Sequence, residues 1–253
     1  MRSLAAESTK KLAVLSDIHG NIRSLDAVLH DIESRGIQDI VNLGDCAYGP
    51  FDPRPVMNRL QELDMPTVSG NEDRILVETA NGRSHSRTAT FTANLLEPSH
   101  IAWLADLPGT LHWKGTFLVH GTAESDTTYL LTEVSGSGVV PRSAEAVAAR
   151  IGAIPEQVIF CGHDHTPGTV KLDSGKVVVN PGSVGCPAYT DDVPHEHRIE
   201  VGSPHARYAI LVQEPGNVHI EWVRVVYDWN AAAEEAAANG FKNWPVWLRT
   251  GRT

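Results

Sequence analysis

"KLAVLSDIHGNIRSLDAVLHDIESRGIQDIVNLGD", Lys11 to Asp45, alternates apolar runs with one helical period. Its first six residues are an apolar run of strand length. Ile22, Leu25, Val28, Leu29 and Ile32 then recur at helical spacing, with Asn21 placed to cap the start and Gly36 the end. "DIVNLGD" (Asp39–Asp45) supplies a second apolar strand. Strand, helix and strand in about 35 residues predict a parallel βαβ unit with a right-handed crossover. Both strands run out into polar residues: Asp17-Ile18-His19 after the first, Gly44-Asp45 after the second.

Working outward, a Pro-rich loop (Tyr48–Pro55) leads to a predicted helix near "VMNRLQEL" and a strand ending at Gly70. Residues 74–108 read as mostly helical, broken at Pro98 and Pro108. The second half is strand-rich: "TFLVHG", "QVIFCGHDH", "KVVVNPGS", "YAILVQ" and "VHIEWVRVV", the last two joined as a hairpin through "EPGN". "DWNAAAEEAAANG" reads as a capped helix closed by Gly240. No repeat or low-complexity linker divides the chain. The expectation is one α/β domain over residues 1–253: a βαβ layer, a β-rich layer and outer helices. Residues 1–9 read as a tail and 229–253 as a helical C-terminal segment, in which "FKNWPVWL" (Phe241–Leu248) docks on the body or contacts a second copy.

The formal charge of -10 argues against a broad electrostatic grip on nucleic acid or an anionic membrane. It leaves room for a phosphorylated substrate, because metal charge can dominate locally. Three widely spaced cysteines, with no C-x-x-C pair, predict neither a disulfide framework nor a thiolate zinc site. A reducing compartment fits them. Neither a signal peptide nor a membrane-length apolar run is visible, so the protein is expected in the cytoplasm.

Five strand-like runs end in polar clusters: Asp17-Ile18-His19, Gly44-Asp45, Gly70-Asn71, His120-Gly121 and Gly162-His163-Asp164-His165. Ligands bind beyond the carboxyl ends of strands in α/β sheets, so paired strands would gather these groups at one edge. The candidate donors are Asp17, His19, Asp45, Asn71, His120, His163 and His165. Mixed nitrogen and oxygen donors suit Mn, Fe or Zn, whereas Ca and Mg prefer oxygen. Seven are too many for one tetrahedral ion and fit two ions sharing a carboxylate. Each cluster alone reads as a turn or cap. The conjunction, in this order, carries the inference.

The pattern D-x-H, G-D, G-N, H-G and G-H-x-H resembles the calcineurin-like metallophosphoesterases. "LSDIHGN", "GDCAYGP", "GNEDR", "LVHGT", "FCGHDHTP", "VNPGSVG" and "VVYDWNA" are similar to their small bacterial phosphodiesterase branch. The resemblance implies a four-layer αββα sandwich, two mixed β-sheets flanked by helices, with two divalent metal ions at the sheet edge. Mn comes first, with Fe or Zn as alternatives. Asp17, His19 and His165 would hold one ion and Asn71, His120 and His163 the other, with Asp45 bridging. A hydroxide between the ions would attack phosphorus in line. The implied substrate is a small phosphorylated molecule, probed first among phosphodiesters and nucleotide-like phosphoanhydrides such as dinucleoside polyphosphates. The alternatives are a protein serine/threonine phosphatase and a non-catalytic scaffold.

The chain departs from that pattern in two places. Many relatives carry a histidine after G-N, where this chain has Glu72 followed by Asp73. Both are candidate catalytic residues. Metal charge favours ionised Glu72 and burial favours the neutral acid. The metals are expected to prevail, leaving a poor proton donor. Asp73 and Arg74 are also expected to order the turn. Second, residues 186–207 form a longer segment than in that branch. Ala188 and Tyr189 stand where a basic residue is expected, and His195, His197 and His205 are added. The segment could overhang the site as a lid or remain a solvated loop. Tyr48, Arg74 and His195 are candidate substrate contacts.

Overall fold

The computed structural model describes residues 9–83, 86–214 and 217–253. The expected tail, apart from Thr9, and Pro215-Gly216 of the hairpin turn lie outside them. The βαβ unit forms as its pattern requires. Lys10–Leu15 and Asp39–Asn42 pair in parallel, with Leu12 opposite Asp39 and Leu15 opposite Asn42. Between them runs the helix Ile22–Ser34. Its start is capped by the Asn21 side chain, which accepts from the Ser24 N–H, and Leu25, Val28 and Ile32 are buried. On the other side Lys10–Leu15 pairs antiparallel with Ala206–Glu214, which pairs with Asn217–Val225. The result is a mixed four-stranded sheet.

The second sheet has five strands, in the order Thr110–Trp113, Thr116–Val119, Val158–Phe160, Val177–Asn180 and Gly168–Lys171. Its three central strands are parallel and its edges antiparallel. Alternation along the strands separates the layers. Leu12, Val14 and Leu211 of the first sheet meet Leu118, Phe160 and Val179 of the second in one buried cluster. The opposite faces, including Ala13, Leu15 and Tyr208, pack on outer helices. Phe117, Ile159 and Val178 pack on the helix Ala144–Ile151. Helix, sheet, sheet, helix is the four-layer order expected.

Two readings of the sequence need correction. The strand before Gly70 is a single parallel bridge between Asn42 and Thr67, because Pro66 cannot donate and a helix starts at Asn71. "GNEDR" therefore caps and opens the helix Asn71–Ala80, which starts three residues before the helical reading began. Residues 132–141 and 188–200 form hairpins that the sequence did not announce, since their short, half-exposed strands lack an apolar period. Residues 186–207 thus contain the hairpin Ala188–Asp191 with His197–Glu200. No described helix is long and apolar enough to cross a membrane.

Candidate metal centre

The turns that leave the strands meet at one edge because backbone approaches backbone there. Gly44 has φ +97°, and a Cβ on it would lie 2.4 Å from the Gly70 nitrogen. Only glycine lets the Asp45 and Asn71 turns touch. Five of the seven candidate donors, Asp17, His19, Asp45, His163 and His165, are themselves in the left-handed region. That conformation costs roughly 1–3 kcal/mol at each non-glycine residue and persists only where the surroundings impose it.

What imposes it is a dense hydrogen-bonded frame. Asp73 accepts from the N–H groups of Asp45 (2.8 Å), Cys46 (2.9 Å) and Gly70 (2.9 Å). Asp164, fully buried between His163 and His165, accepts from Thr132 Oγ1, Asn180 Nδ2 and the Thr166 N–H. Ser183 of "NPGS" donates to the Asp17 carbonyl and accepts from the Cys186 N–H. That turn acts as a clamp on the site.

Three imidazoles present Nδ1 to backbone carbonyls: His19 to Tyr48 (2.9 Å), His120 to Leu43 (2.8 Å) and His165 to Cys186 (2.7 Å). A carbonyl only accepts, so each Nδ1 carries hydrogen and Nε2 is the position turned inward. The inward atoms are crowded. Nε2 of His19 and His165 are 3.1 Å apart. His120 Nε2 is 3.0 Å from Asn71 Oδ1 and 3.3 Å from Asp45 Oδ2. Asp17 Oδ1 is buried without a hydrogen bond, although His165 Nε2 lies 3.3 Å away.

Lone pairs so arranged repel unless a proton or metal cation lies among them, so this donor set fits metal ions. Two overlapping groups have metal-binding spacing, Asp17–His19–Asp45 and Asp45–His120–His163, with Asp45 in both. Cys186 also lies near His19 and His165, which the sequence reading missed. Its thiol is held up by burial and donates to the Ala188 carbonyl, so it belongs to the frame.

In the metal-free protein, protons stand in for cations. Burial pushes the His19 imidazole down, but Glu72, with Asp45 and Asp17, reverses this and lifts it to about 9. His120 is likewise driven down by burial and lifted to about 10, chiefly by Asp45. Burial and the His120 charge hold His163 at about 4. His19 and His120 therefore carry protons at pH 7 that a metal ion bound through Nε2 would displace. Loading with Mn²⁺ at pH 7 is expected to release at least two protons per chain and to weaken as pH falls. Calorimetry in buffers of different ionisation enthalpy measures this, and a buffer-independent heat would contradict it.

The site opens into a cavity of about 460 Å³. Glu72 lines it, with its carboxylate 3.0 Å from His19 Nδ1. Burial raises the Glu72 carboxyl to about 7, assisted by Asp45 and opposed by His19. Tyr48 also lines the cavity, and its hydroxyl meets Ser86 Oγ at 2.8 Å. Arg74 instead pairs with Asp126 and Glu78, and exposed His195 faces the Gly136 carbonyl; neither lines the cavity. His197 is buried against Tyr129. Tyr189, Asp191 and Asp192, from the segment that could overhang the site, line the cavity, although none was named as a substrate contact; Trp244 and Trp247, expected only to dock or contact a second copy, line it too.

Residues 11–195 match the family model for the calcineurin-like phosphoesterase superfamily domain. An uncharacterized protein of Methanocaldococcus jannaschii is 26% identical over 92% of this chain and 94% of its own length. Among solved structures, a metallophosphoesterase from Sphaerobacter thermophilus is similar at TM-score 0.73 and 23% identity, covering 96% of this chain and all of that one. A candidate diadenosine tetraphosphatase is similar at TM-score 0.54 and 18% identity, covering 87% and 96%. At these identities the two structures speak for the fold.

Proposed function

The chain belongs to the calcineurin-like phosphoesterase superfamily, and from that premise we propose that it is a two-metal phosphohydrolase acting on phosphodiester or phosphoanhydride bonds. The observation that carries this reading is the convergence of seven inward donors with Asp45 common to two ligand groups. When bound, two divalent ions, Mn²⁺ first among the candidates, would acidify a water and neutralise charge building on the phosphoryl oxygens. The protein's part is to hold Asp17, His19 and His165 about one position and Asn71, His120 and His163 about the other.

Glu72 sets the preference among substrates. Close to dications its carboxyl is ionised, so it gives no proton to a departing alkoxide. It also repels a dianionic monoester more than a monoanionic diester. Aryl diesters and anhydrides, whose leaving groups depart unaided, are the substrates this arrangement favours. The fold likeness to the candidate diadenosine tetraphosphatase keeps dinucleoside polyphosphates among the anhydrides to test. A scaffold without activity would not need so many buried donors in left-handed conformations. Three unpaired, buried cysteines fit residence in a reducing cytoplasm.

A substrate panel in Mn²⁺ tests the reading. Bis(p-nitrophenyl) phosphate is expected to turn over faster than p-nitrophenyl phosphate, and Glu72→Gln to narrow that ratio about tenfold or more. Alkyl monoesters hydrolysed faster than both diesters and anhydrides would overturn the assignment of Glu72.

A further inference from the structure

The cavity above the donor cluster is walled by Glu72, Asp191, Asp192, Trp244 and Trp247 and includes no lysine or arginine. That composition is unusual for a site handling anions, and it coincides with Ala188 and Tyr189 where a basic residue was expected. Asp191 accepts from the Val193 N–H, and neither Asp191 nor Asp192 is in an ion pair among the described residues. The indoles lie 5.4 Å apart, and Trp244 sits edge-on to His19 at 6.1 Å. Both are held firmly, with only 8% and 9% of their surface exposed. Neither indole N–H donates to a protein group among the described residues, and both residues line the cavity. Arg87 and Lys242 line a neighbouring depression that shares these indoles. The Arg87 guanidinium there is spent on the Asn239 and Gly240 carbonyls.

Carboxylates and aromatic surface together, in a concave site without lysine or arginine, suit an organic cation. We propose that this cavity is an ammonium-binding subsite, and that the preferred substrates are phosphodiesters whose second alcohol carries a quaternary or primary ammonium group. This rests on the phosphohydrolase reading for its reaction but not for its binding. Hydrolysis breaks one P–O ester bond and forms one P–O bond to the water oxygen, and the water supplies the proton of the departing alcohol, so that the products are one monoester and one alcohol, one of them carrying the ammonium group.

The test pairs two aryl diesters with the same leaving group and the same shape. p-Nitrophenyl phosphocholine carries the cation, and p-nitrophenyl 3,3-dimethylbutyl phosphate replaces its nitrogen by carbon. The Mn²⁺-loaded enzyme is expected to favour the cationic ester by about tenfold or more in kcat/KM. The Asp191→Asn/Asp192→Asn double variant should bring that ratio towards one. A second readout needs no turnover: choline chloride should shift the indole N–H resonances of Trp244 and Trp247 in the metal-free protein, and 3,3-dimethylbutanol should not. Equal rates for both esters, or a ratio untouched by the double variant, would overturn the subsite while the phosphodiesterase reading stands. If neither ester is hydrolysed but choline shifts the indoles, the subsite stands and the reaction assignment fails. Absence of any choline-specific shift counts against the subsite directly.

Discussion

Asp45→Asn is expected to lower turnover of an aryl phosphodiester by about a thousandfold and to remove at least one of the two metal ions. The substitution is a fair test because the metal-free fold should survive it. Asp45 Oδ1 accepts from the Glu72 N–H at 2.9 Å, and an asparagine oxygen can do the same. With the Asp45 charge gone, His120 loses what holds its second proton, and its neutral Nε2, 3.3 Å from the Asp45 Oδ2 position, can accept from the amide nitrogen. What is lost is the negative charge common to both ligand groups. Metal analysis beside steady-state kinetics checks the result. Two ions retained, with turnover within tenfold of the parent, would mean that Asp45 does not bridge.

Asp73→Ala should produce the largest loss of stability, about 3–5 kcal/mol by urea unfolding of the metal-free protein. Asp73 is fully buried, and three backbone N–H groups converge on its two oxygens. Burial and the nearby Asp45 charge push its carboxyl up to about 6, so at pH 7 it is chiefly the ionised acceptor. Removing it strands those donors beneath the Asp45 turn. Its contacts make it a positioning residue, and the variant should also bind Mn²⁺ more weakly. A loss under about 1 kcal/mol would show that the turn holds itself.

The βαβ unit was legible because apolar period and capping agreed over Lys11–Asp45, and the structure keeps both strands and the helix between them. Six of the seven candidate donors were legible as residue types at strand ends, and Asn71 follows only a single bridge. Their strained geometry was not, since nothing in an aspartate or histidine announces φ near +55° as at Asp17 or His19. The carbonyls that orient the imidazoles, at Leu43, Tyr48 and Cys186, are backbone groups without a sequence signature. Glu72 was singled out by position, and it lines the cavity. Arg74 and His195 were read from adjacency, and in the fold nearby carboxylates and a carbonyl claim them. The tryptophans of the cavity wall come from a C-terminal helix far along the chain, which packs beside the Asp17–His19 turn only once the sheet has closed.

The central claim is that one edge of this sandwich holds two metal ions about a shared Asp45. Anomalous scattering from crystals grown with Mn²⁺ tests it most directly. Two peaks flanking the Asp45 carboxylate are predicted, one among Asp17, His19 and His165 and the other among Asn71, His120 and His163. A single peak, or peaks away from Asp45, would contradict the account.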